Sequence, residues 1–352
     1  MAQNSTDCVI GWDIGGAHLK AARVFADGRI DAAVQLPCAL WQGLDQLTTS
    51  VDEAKRRLGP TDGHAITMTG ELADLFGSRA EGVVKILDVM TEKLRGQRIQ
   101  VFAGADGFVD PAHAHHHLAA ISSANWRATA ELVALHQPDA LLLDIGSTTS
   151  DLVPIAEGHV AAEGHDDATR LKHEELLYMG VVRTPLMALG QKWALEGRVT
   201  AICNELFATT ADVYRLTSDL HEEWDQYPPA DGGAKTREAS ARRIARMVGR
   251  DLDSASLETW IGLAFWLKAT QVDIVRQAIR RITLRSGIAA KVPIVGGFDV
   301  VTTPSGITGT WLRLEYAPVF TVLINEVGMA YEQHNRLVFE VNATEQMARR
   351  FT

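Results

Sequence analysis

Two short segments of almost the same spelling constrain the fold of this chain most. They are Asp13-Ile14-Gly15-Gly16 and Asp144-Ile145-Gly146-Ser147, and they begin 131 residues apart. Each follows an apolar run and precedes small or hydroxyl residues. An aspartate at a strand tip can order the waters of a Mg²⁺ ion, and glycine lets backbone N–H groups approach an anion. One such loop is explained equally well as a turn, but two in matching places predict a phosphate clamp between duplicated halves.

The bulk composition limits the class of protein. A length of 352 residues predicts about two domains, and 46% hydrophobic residues supply an ordinary globular core. The formal charge of −10 argues against nucleic-acid binding, and three scattered cysteines argue against a disulfide framework. The N-terminus lacks a signal-peptide pattern, and no apolar run reaches the ~20 residues that span a bilayer. We therefore expect a cytoplasmic protein without membrane or nucleic-acid partners, and the apolar segment 260–267 permits a homodimer.

Apolar periodicity and turn signals repeat one pattern in both halves of the chain. In the first half, the pattern predicts a meander of three strands at 9–14, 19–25 and 30–36, with a turn at 26–29. It then predicts helices at 44–58, 82–94 and 126–136, with strands at 65–69 and 99–103 between them. The second half predicts strands at 141–145, 151–156, 159–162 and 292–295, and helices at 205–216, 236–248 and 256–285. This alternation predicts an α/β fold with helices on both faces of mixed sheets.

Three motifs resemble those of a known superfold. Asp13–Gly16, Asp144–Asp151 and the stretch 293–297 are similar to the first phosphate, second phosphate and nucleoside-side motifs of the actin/Hsp70/sugar-kinase superfold. The second loop ends in aspartate, as in the hydantoinase/oxoprolinase branch. The resemblance implies two ribonuclease-H-like (actin-like ATPase) domains around a central cleft. They would comprise residues 1–136 and residues 137–321, the latter with helical insertions, and a C-terminal helix at 322–335 would pack back on the first.

Four longer strings resemble a narrower family. They are DIGGAHLK at 13–20, TMTGEL at 67–72, SANWRA at 123–128 and YMGVVRTP at 178–185. They are similar to tetrahydromethanopterin-linked C1-transfer pathway proteins of methylotrophic bacteria, relatives of the archaeal methanofuran-biosynthesis transferase. The resemblance implies transfer from an aminomethyl-furanmethyl diphosphate to the phenol of a glutamyl-tyramine or tyrosine-like acceptor, with release of pyrophosphate. The partners implied by the resemblance are this diphosphate donor and the phenolic acceptor. The implied cofactor is Mg²⁺, and ATP is a less favoured ligand.

The loops supply the candidate metal and phosphate ligands. Asp13 and Asp144 are the candidates for holding a Mg²⁺-diphosphate, through metal-bound waters. Backbone and hydroxyl donors to the phosphates are expected from Gly15, Gly16, Gly146, Ser147, Thr148 and Thr149. Lys20 lies on the second strand of the first hairpin and is either a point charge for the phosphates or an exposed lysine.

Other positions have both a functional and a structural interpretation. Asp151 is either a base or outer-shell metal group, or a turn cap. Glu71 is a candidate general base at the end of a strand, or a carboxylate that stabilises a helix N-terminus. Arg183 is an anion clamp or a surface arginine. Gly296 and Gly297 would let the backbone approach the far end of the ligand.

Two clusters of charged or metal-binding residue types favour structural interpretations. The histidines of the segment 113–117 lack the remaining ligands of a metal site, which favours a solvated loop. Arg242, Arg243 and Arg246 indicate the charged outer face of a helix.

Two other functions remain open from the sequence. One is an ATP-dependent kinase or a hydantoinase/oxoprolinase-like amide hydrolase on the same fold. The other is a non-catalytic, nucleotide-gated interaction protein, which would bind nucleotide without turnover and usually carries an added regulatory segment.

Overall fold

The first half of the chain forms a sheet in which a three-stranded antiparallel meander is extended by parallel strands. The computed structural model describes residues 8–25, 30–136, 138–220, 222 and 225–287, and the strands at 294–300, 312–313 and 339–341. The first sheet has the order β3-β2-β1-β4-β5-β6, and β4 runs parallel to both β1 and β5. Its strands are β1 (Cys8–Ile14), β2 (His18–Phe25), β3 (Ile30–Pro37), β4 (Gly63–Met68), β5 (Arg98–Phe102) and β6 (Phe108–Val109).

Helices cover both faces of this sheet. They are α1 (Leu44–Leu58), α2 (Arg79–Lys93), α3 (Leu118–Ile121) and α4 (Asn125–His136). The stripe Leu47, Val51, Ala54 and Leu58 of α1 is buried against one face, as its helical spacing requires. On the other face, α4 buries Ala128 and Leu132 against the strands. The predicted meander, the helix at 44–58 and the cover of both faces are confirmed.

The second half repeats the meander and adds a hairpin and longer helices. The path of its main sheet is β10-β8-β7-β13-β14, with β9 beside β8 and β15 beside β13. Its strands are β7 (Ala140–Ile145), β8 (Ser150–Ala156), β9 (His159–Val160), β10 (Leu176–Leu177), β11 (Lys192–Leu195), β12 (Arg198–Ala201), β13 (Ile294–Val300), β14 (Leu312–Arg313) and β15 (Phe339–Val341). Its helices are α5 (Asp167–Lys172), α6 (Thr210–Leu216), α7 (Arg237–Met247) and α8 (Leu257–Ser286). None of the described helices combines the length and apolar character needed to cross a bilayer.

Two of the observed boundaries differ most from the prediction. The helix expected from residue 205 begins only at Thr210, because Thr209 and Asp212 form a capping box there. The strand expected to end before Gly296 and Gly297 instead runs through them, because β13 pairs with β7 and β15 on its two sides and those ladders include the glycines. The predicted turn at 26–29 and the C-terminal helix at 322–335 lie outside the described residues.

The charged face predicted for α7 is only partly exposed. Arg242 and Arg246 are exposed, but Arg243 is fully buried. Its guanidinium donates from Nε to Asp212 Oδ1 at 2.8 Å and pairs with Asp231 at 3.1 Å. Arg243 is therefore buried because carboxylates from α6 and from the segment 225–235 pair with its charge.

Candidate active site

One cavity of about 660 Å³ brings the two Asp-Ile-Gly loops together. The predicted site residues that line it are Asp13, Gly15, Gly16, Lys20, Asp144, Gly146, Ser147, Thr148, Thr149, Asp151 and Arg183. The first four come from β1, β2 and the loop between them, and the others come from the second half of the chain. The structure therefore joins residues from both halves at one cavity, while their individual roles stay predictions.

The two loops have the same backbone turn. Gly15 N donates to His18 O at 2.9 Å, and Gly146 N donates to Thr149 O at 2.8 Å. The aspartate occupies the next-to-last position of its strand in both cases. Across the hairpin, however, Asp13 lies opposite Lys20 and Asp144 lies opposite Asp151. The first loop thus has a cation where the second has an anion.

A close backbone approach supports the second loop from behind. Val181 N donates to Gly146 O at 3.1 Å and Arg183 N donates to Ser147 O at 2.9 Å. A Cβ at Gly180 would lie 2.4 Å from the carbonyl carbon of Ser147, so only glycine fits without a shift of the backbone. Residues 180–183 therefore lie against the second Asp-Ile-Gly loop, with Arg183 at its edge.

Aromatic side chains flank Arg183 at that end of the cavity. Its guanidinium lies 5.0 Å from the ring centre of Trp41 and 5.9 Å from that of Tyr227. The Tyr227 hydroxyl donates to the carbonyl of Ala17, so a segment of the second half contacts the first loop. Among the described residues, no carboxylate pairs with Arg183. Its charge is therefore available to an anion, in keeping with the predicted clamp.

Asp151 is held by an ion pair on another wall of the cavity. Arg170, whose side chain is 2% exposed, donates to Asp151 Oδ1 at 2.7 Å. The Arg170 guanidinium also lies 3.9 Å from the ring centre of Trp126. Burial raises the pKa of Asp151, and the charge of Arg170 opposes that rise. The ion pair with Arg170 is thus the structural role of Asp151. Its role as a base or outer-shell metal group stays a prediction.

Glu71 lies behind the cavity wall and does not line it. It is 1% exposed, and its Oε1 accepts from Ser122 Oγ at 3.1 Å and from Ser123 Oγ at 2.8 Å. Burial is the largest cause that raises its pKa, and the nearby charge of Asp167 adds to the rise. Oε2 has no hydrogen-bond partner among the described residues. Glu71 remains a candidate base, but it is placed to reach the cavity through Ser123 rather than by direct contact.

Sequence reasoning missed Asp167, a second carboxylate on the same wall. Arg79 Nη2 donates to Asp167 Oδ2 at 2.9 Å, and Ser123 Oγ lies 3.3 Å from the same oxygen. Ser123 and Asp167 both line the cavity. The neighbouring Asp166 caps α5 by accepting from Thr169 N at 2.8 Å, which fixes the start of the helix. The Asp-Asp pair before a short helix was the only local signal.

The remaining predicted positions lie elsewhere. Gly296 is level with Leu143 in the pairing of β13 with β7, one residue before Asp144, so β13 lies directly beside the strand that ends in the second loop. In the histidine segment, His117 bonds to Asp106, and the rings of His115 and His116 have centres 3.7 Å apart and are tilted by 44°. Within the described ranges, no group of three or more His, Cys, Asp or Glu side chains could hold a metal ion.

Comparisons with known proteins place the chain among relatives. It is 32% identical over 278 residues to the (4-{4-[2-(gamma-L-glutamylamino)ethyl]phenoxymethyl}furan-2-yl)methanamine synthase of Methanocaldococcus jannaschii, covering 79% of this chain and 82% of that protein. The synthase of the same name from Methanococcus vannielii is 30% identical over 150 residues, 43% of this chain and 67% of that protein. A nucleotide-free acetone carboxylase structure is similar at a TM-score of 0.49 and 11% identity, over 82% of this chain and 65% of that one.

The family model that matches covers most of the chain. The model described as Hydantoinase/oxoprolinase matches residues 62–295, which include the second Asp-Ile-Gly loop. The resemblance read from Asp144–Asp151 is thereby confirmed, as is the resemblance to the archaeal transferase. The chain belongs to the hydantoinase/oxoprolinase family, with archaeal furanylmethanamine synthases among its relatives.

Proposed function

We propose that this protein is a transferase of methanofuran or methylofuran biosynthesis that serves tetrahydromethanopterin-linked C1 metabolism. It would join an aminomethyl-furanmethyl diphosphate to the phenol of a glutamyl-tyramine or tyrosine-like acceptor and release pyrophosphate. The observation that carries the proposal is that both Asp-Ile-Gly loops face one cavity. The names of the archaeal relatives support it, because they describe a phenoxymethyl link between a glutamylaminoethyl-phenyl group and a furan. A phenol that attacks a methylene carbon bearing a leaving group forms such a link.

The chain's own groups would bind the diphosphate from both sides. The turns at Gly15 and Gly146 present backbone at the cavity, and Ser147, Thr148 and Thr149 add hydroxyl groups. Lys20 and Arg183 would balance the negative charge, Lys20 as a point charge and Arg183 through its planar fork. Arg170 is less available, because Asp151 already holds it.

Mg²⁺ fits this site as an ion bound mainly by the diphosphate rather than by a cage of protein ligands. Mg²⁺ in phosphate sites commonly takes one or two carboxylates together with phosphate oxygens and waters. Asp13 and Asp144, on opposite loops of one cavity, match that requirement and would hold the ion through waters. When bound, the ion would neutralise charge on the departing pyrophosphate.

The cavity walls would shield the reacting carbon from water. Trp126, Trp41 and Tyr178 line the cavity and supply flat apolar surfaces for the furan and phenol rings. We propose that residues 1–136 and 137–321 form two ribonuclease-H-like domains that close over the substrates, since hydrolysis would otherwise compete with transfer. The cytoplasmic location and the homodimer stay predictions.

A binding comparison with a product assay tests the proposal. Calorimetry in the presence of Mg²⁺ should show that pyrophosphate and aminomethyl-furanmethyl diphosphate bind more tightly than ATP. Mass spectrometry should then detect the aryl ether, with one pyrophosphate released for each ether formed. Arg183→Met should weaken pyrophosphate binding about tenfold, as expected for one lost charge-assisted contact. Lys192→Met, which removes an exposed cation on the β11–β12 hairpin, is the matched control.

Two outcomes would overturn the proposal. Tight ATP binding that adenosine competes for, with release of phosphate, would favour the kinase or amide hydrolase. Tight nucleotide binding without any turnover would favour the nucleotide-gated interaction protein.

A further inference from the structure

The carboxylates that line the cavity are not equally placed to accept a proton. They are Asp13, Asp74, Asp144, Asp151 and Asp167. Asp13 and Asp144 belong to the two phosphate loops, and Asp151 is held by Arg170. Asp74 is exposed. Asp167, with a side chain 10% exposed, is the one that combines cavity contact with a fixed and sheltered position.

The hydrogen bonds of Asp167 leave one of its oxygens open. Arg79 Nη2 and Ser123 Oγ both approach Oδ2, at 2.9 and 3.3 Å. Oδ1 accepts no hydrogen bond from any side chain or backbone group that the structure describes. One oxygen is therefore anchored while the other can meet a substrate hydroxyl, which is the geometry that a general base needs.

Ser123 connects Asp167 to the buried Glu71. Its hydroxyl has one proton and lies 2.8 Å from Glu71 Oε1 and 3.3 Å from Asp167 Oδ2, so it can donate to only one carboxyl group at a time. Ser123 has a φ of 51°, in the left-handed region that a serine rarely adopts. Strain of this kind persists where surrounding contacts fix the backbone, and it is frequent at functional sites.

The charged groups around Asp167 come from several elements. Arg79 faces it from α2, and Glu71 acts on it from the turn after β4. Asp151 and Tyr178 lie close enough for the charge of Asp167 to raise the pKa of each, after burial as the larger cause, while Arg170 pairs with Asp151. Tyr178 therefore stays a neutral phenol at neutral pH, and Arg79 pairs with Asp167 across the cavity wall.

We infer that Asp167 is the catalytic base that takes the proton of the acceptor phenol, with Ser123 and Arg79 as its positioning residues. This inference rests on the proposed function. Asp167 Oδ1 receives the phenol proton as the phenol oxygen bonds to the furan methylene carbon. The bond from that carbon to the diphosphate oxygen breaks, and its electron pair leaves with the diphosphate. The Asp167 carboxyl group returns its proton to water after the ether departs. A carboxylate suffices as base because the proton becomes strongly acidic as the ether forms.

The test combines substitution of Asp167 with acceptors of different acidity. Asp167→Asn should lower kcat by about 10²- to 10⁴-fold, the usual range for a lost general base, with the acceptor KM changed less than about threefold. A difluorinated tyramine acceptor, which ionises in solution near neutral pH, should recover much of that loss. Asp167→Glu should keep about tenfold more activity than Asp167→Asn.

Paired serine variants separate positioning from general damage. Ser123→Ala and Ser123→Gly should each lower kcat about tenfold, because both remove the hydroxyl although only glycine relieves the positive φ. Ser122→Ala removes a hydrogen bond to Glu71 without touching Asp167 and should stay within about threefold of the wild type.

Two results would overturn the assignment. One is an Asp167→Asn enzyme whose kcat stays within about threefold of the wild type, and the other is an equal loss with ordinary and fluorinated acceptors. The wild-type enzyme gives an independent check if the variant does not fold. Without a base, its kcat/KM would rise about tenfold per pH unit below the phenol pKa, whereas a base makes it nearly flat. Failure of the wild type to form any ether would refute the proposed function instead.

Discussion

The two Asp-Ile-Gly hairpins share their turn but differ in what stands beside the aspartate. Seven residues after Asp13, Lys20 faces it across the hairpin, and seven residues after Asp144 the corresponding residue is Asp151. The first hairpin thus adds a cation, for which ligand binding is a prediction. The second adds an anion, which pairs with Arg170, and the guanidinium of Arg170 lies over the ring of Trp126. The two loops thus share a backbone turn but place opposite charges across the hairpin from the aspartate.

The largest expected effect tests what the two hairpins still share. Asp13→Asn and Asp144→Asn should each lower kcat/KM for ether formation by at least about 10³-fold, or about 4 kcal/mol, because both carboxylates would hold the metal-diphosphate. Each change keeps the shape of the side chain, so the free energy of unfolding should change by less than about 1 kcal/mol. Steady-state kinetics and denaturant unfolding measure the two quantities.

A one-sided result would break the comparison. If Asp144→Asn leaves turnover intact while Asp13→Asn abolishes it, then the second loop is only a structural copy of the first. Equal losses with unchanged stability would support a clamp that needs both loops.

The second prediction concerns the residues that face the aspartates. Arg170→Met should lower the free energy of unfolding by about 3 kcal/mol, because it leaves Asp151 without its partner on a largely buried wall. Adding Asp151→Asn should recover much of that loss. Lys20→Met should instead change stability by less than about 1 kcal/mol and weaken pyrophosphate binding about tenfold.

Thermal unfolding and calorimetry on the three variants decide between the two roles. A Lys20→Met protein that is as destabilised as Arg170→Met would show that both partners are structural. In that case the difference between the hairpins would concern only the sign of the charge.

The difference in residue type between the hairpins could be predicted from the sequence, but the contacts that complete the site could not. Asp13, Lys20, Asp144 and the glycines follow from local patterns, since each loop is one hairpin. Asp167 meets Arg79, which lies 88 residues away along the chain, and no periodicity indicates that contact. The burial of Arg243 was missed for the same reason, because its partner Asp212 is 31 residues distant on another helix.

The third prediction tests the strands beneath the loops by pH. Trp12, just before Asp13, donates from Nε1 to His64 Nδ1 at 3.0 Å, and His64 Nε2 lies 3.0 Å from Gln97 Oε1. Burial lowers the pKa of His64 from its ordinary 6.5 to about 4. The unfolded chain therefore binds a proton that the folded protein refuses between those pH values. The contribution of His64 to the free energy of unfolding is therefore complete above pH 6.5 and should fall by about 3 kcal/mol as the pH drops to 4.

The variant His64→Asn isolates that term. Glu71 and Asp151 have raised pKa values and act in the opposite direction, gaining stability as the pH falls, so only the difference between wild type and variant is informative. Denaturant unfolding at pH 7 and at pH 4.5 should show a steeper loss for the wild type. Leu143 takes the place of Trp12 before the second aspartate. If the free energies of unfolding of the wild type and of His64→Asn depend on pH in the same way, then the strand before the first loop is no more acid-sensitive than β7, the strand before the second.

The smallest expected effect compares the glycines that support each loop from behind. A Cβ at Gly180 would lie 2.4 Å from the carbonyl carbon of Ser147, whereas a Cβ at Gly70 would meet Leu40 Cδ1 at 2.5 Å and the backbone oxygen of Ile14 only at 3.2 Å. A leucine methyl can rotate away, but the backbone of the second loop cannot move without losing the bonds from 181–183. Gly180→Ala should therefore cost about 2 kcal/mol of unfolding free energy, and Gly70→Ala about 1 kcal/mol or less. Equal costs, measured by denaturant unfolding, would show that the first loop is supported as rigidly as the second.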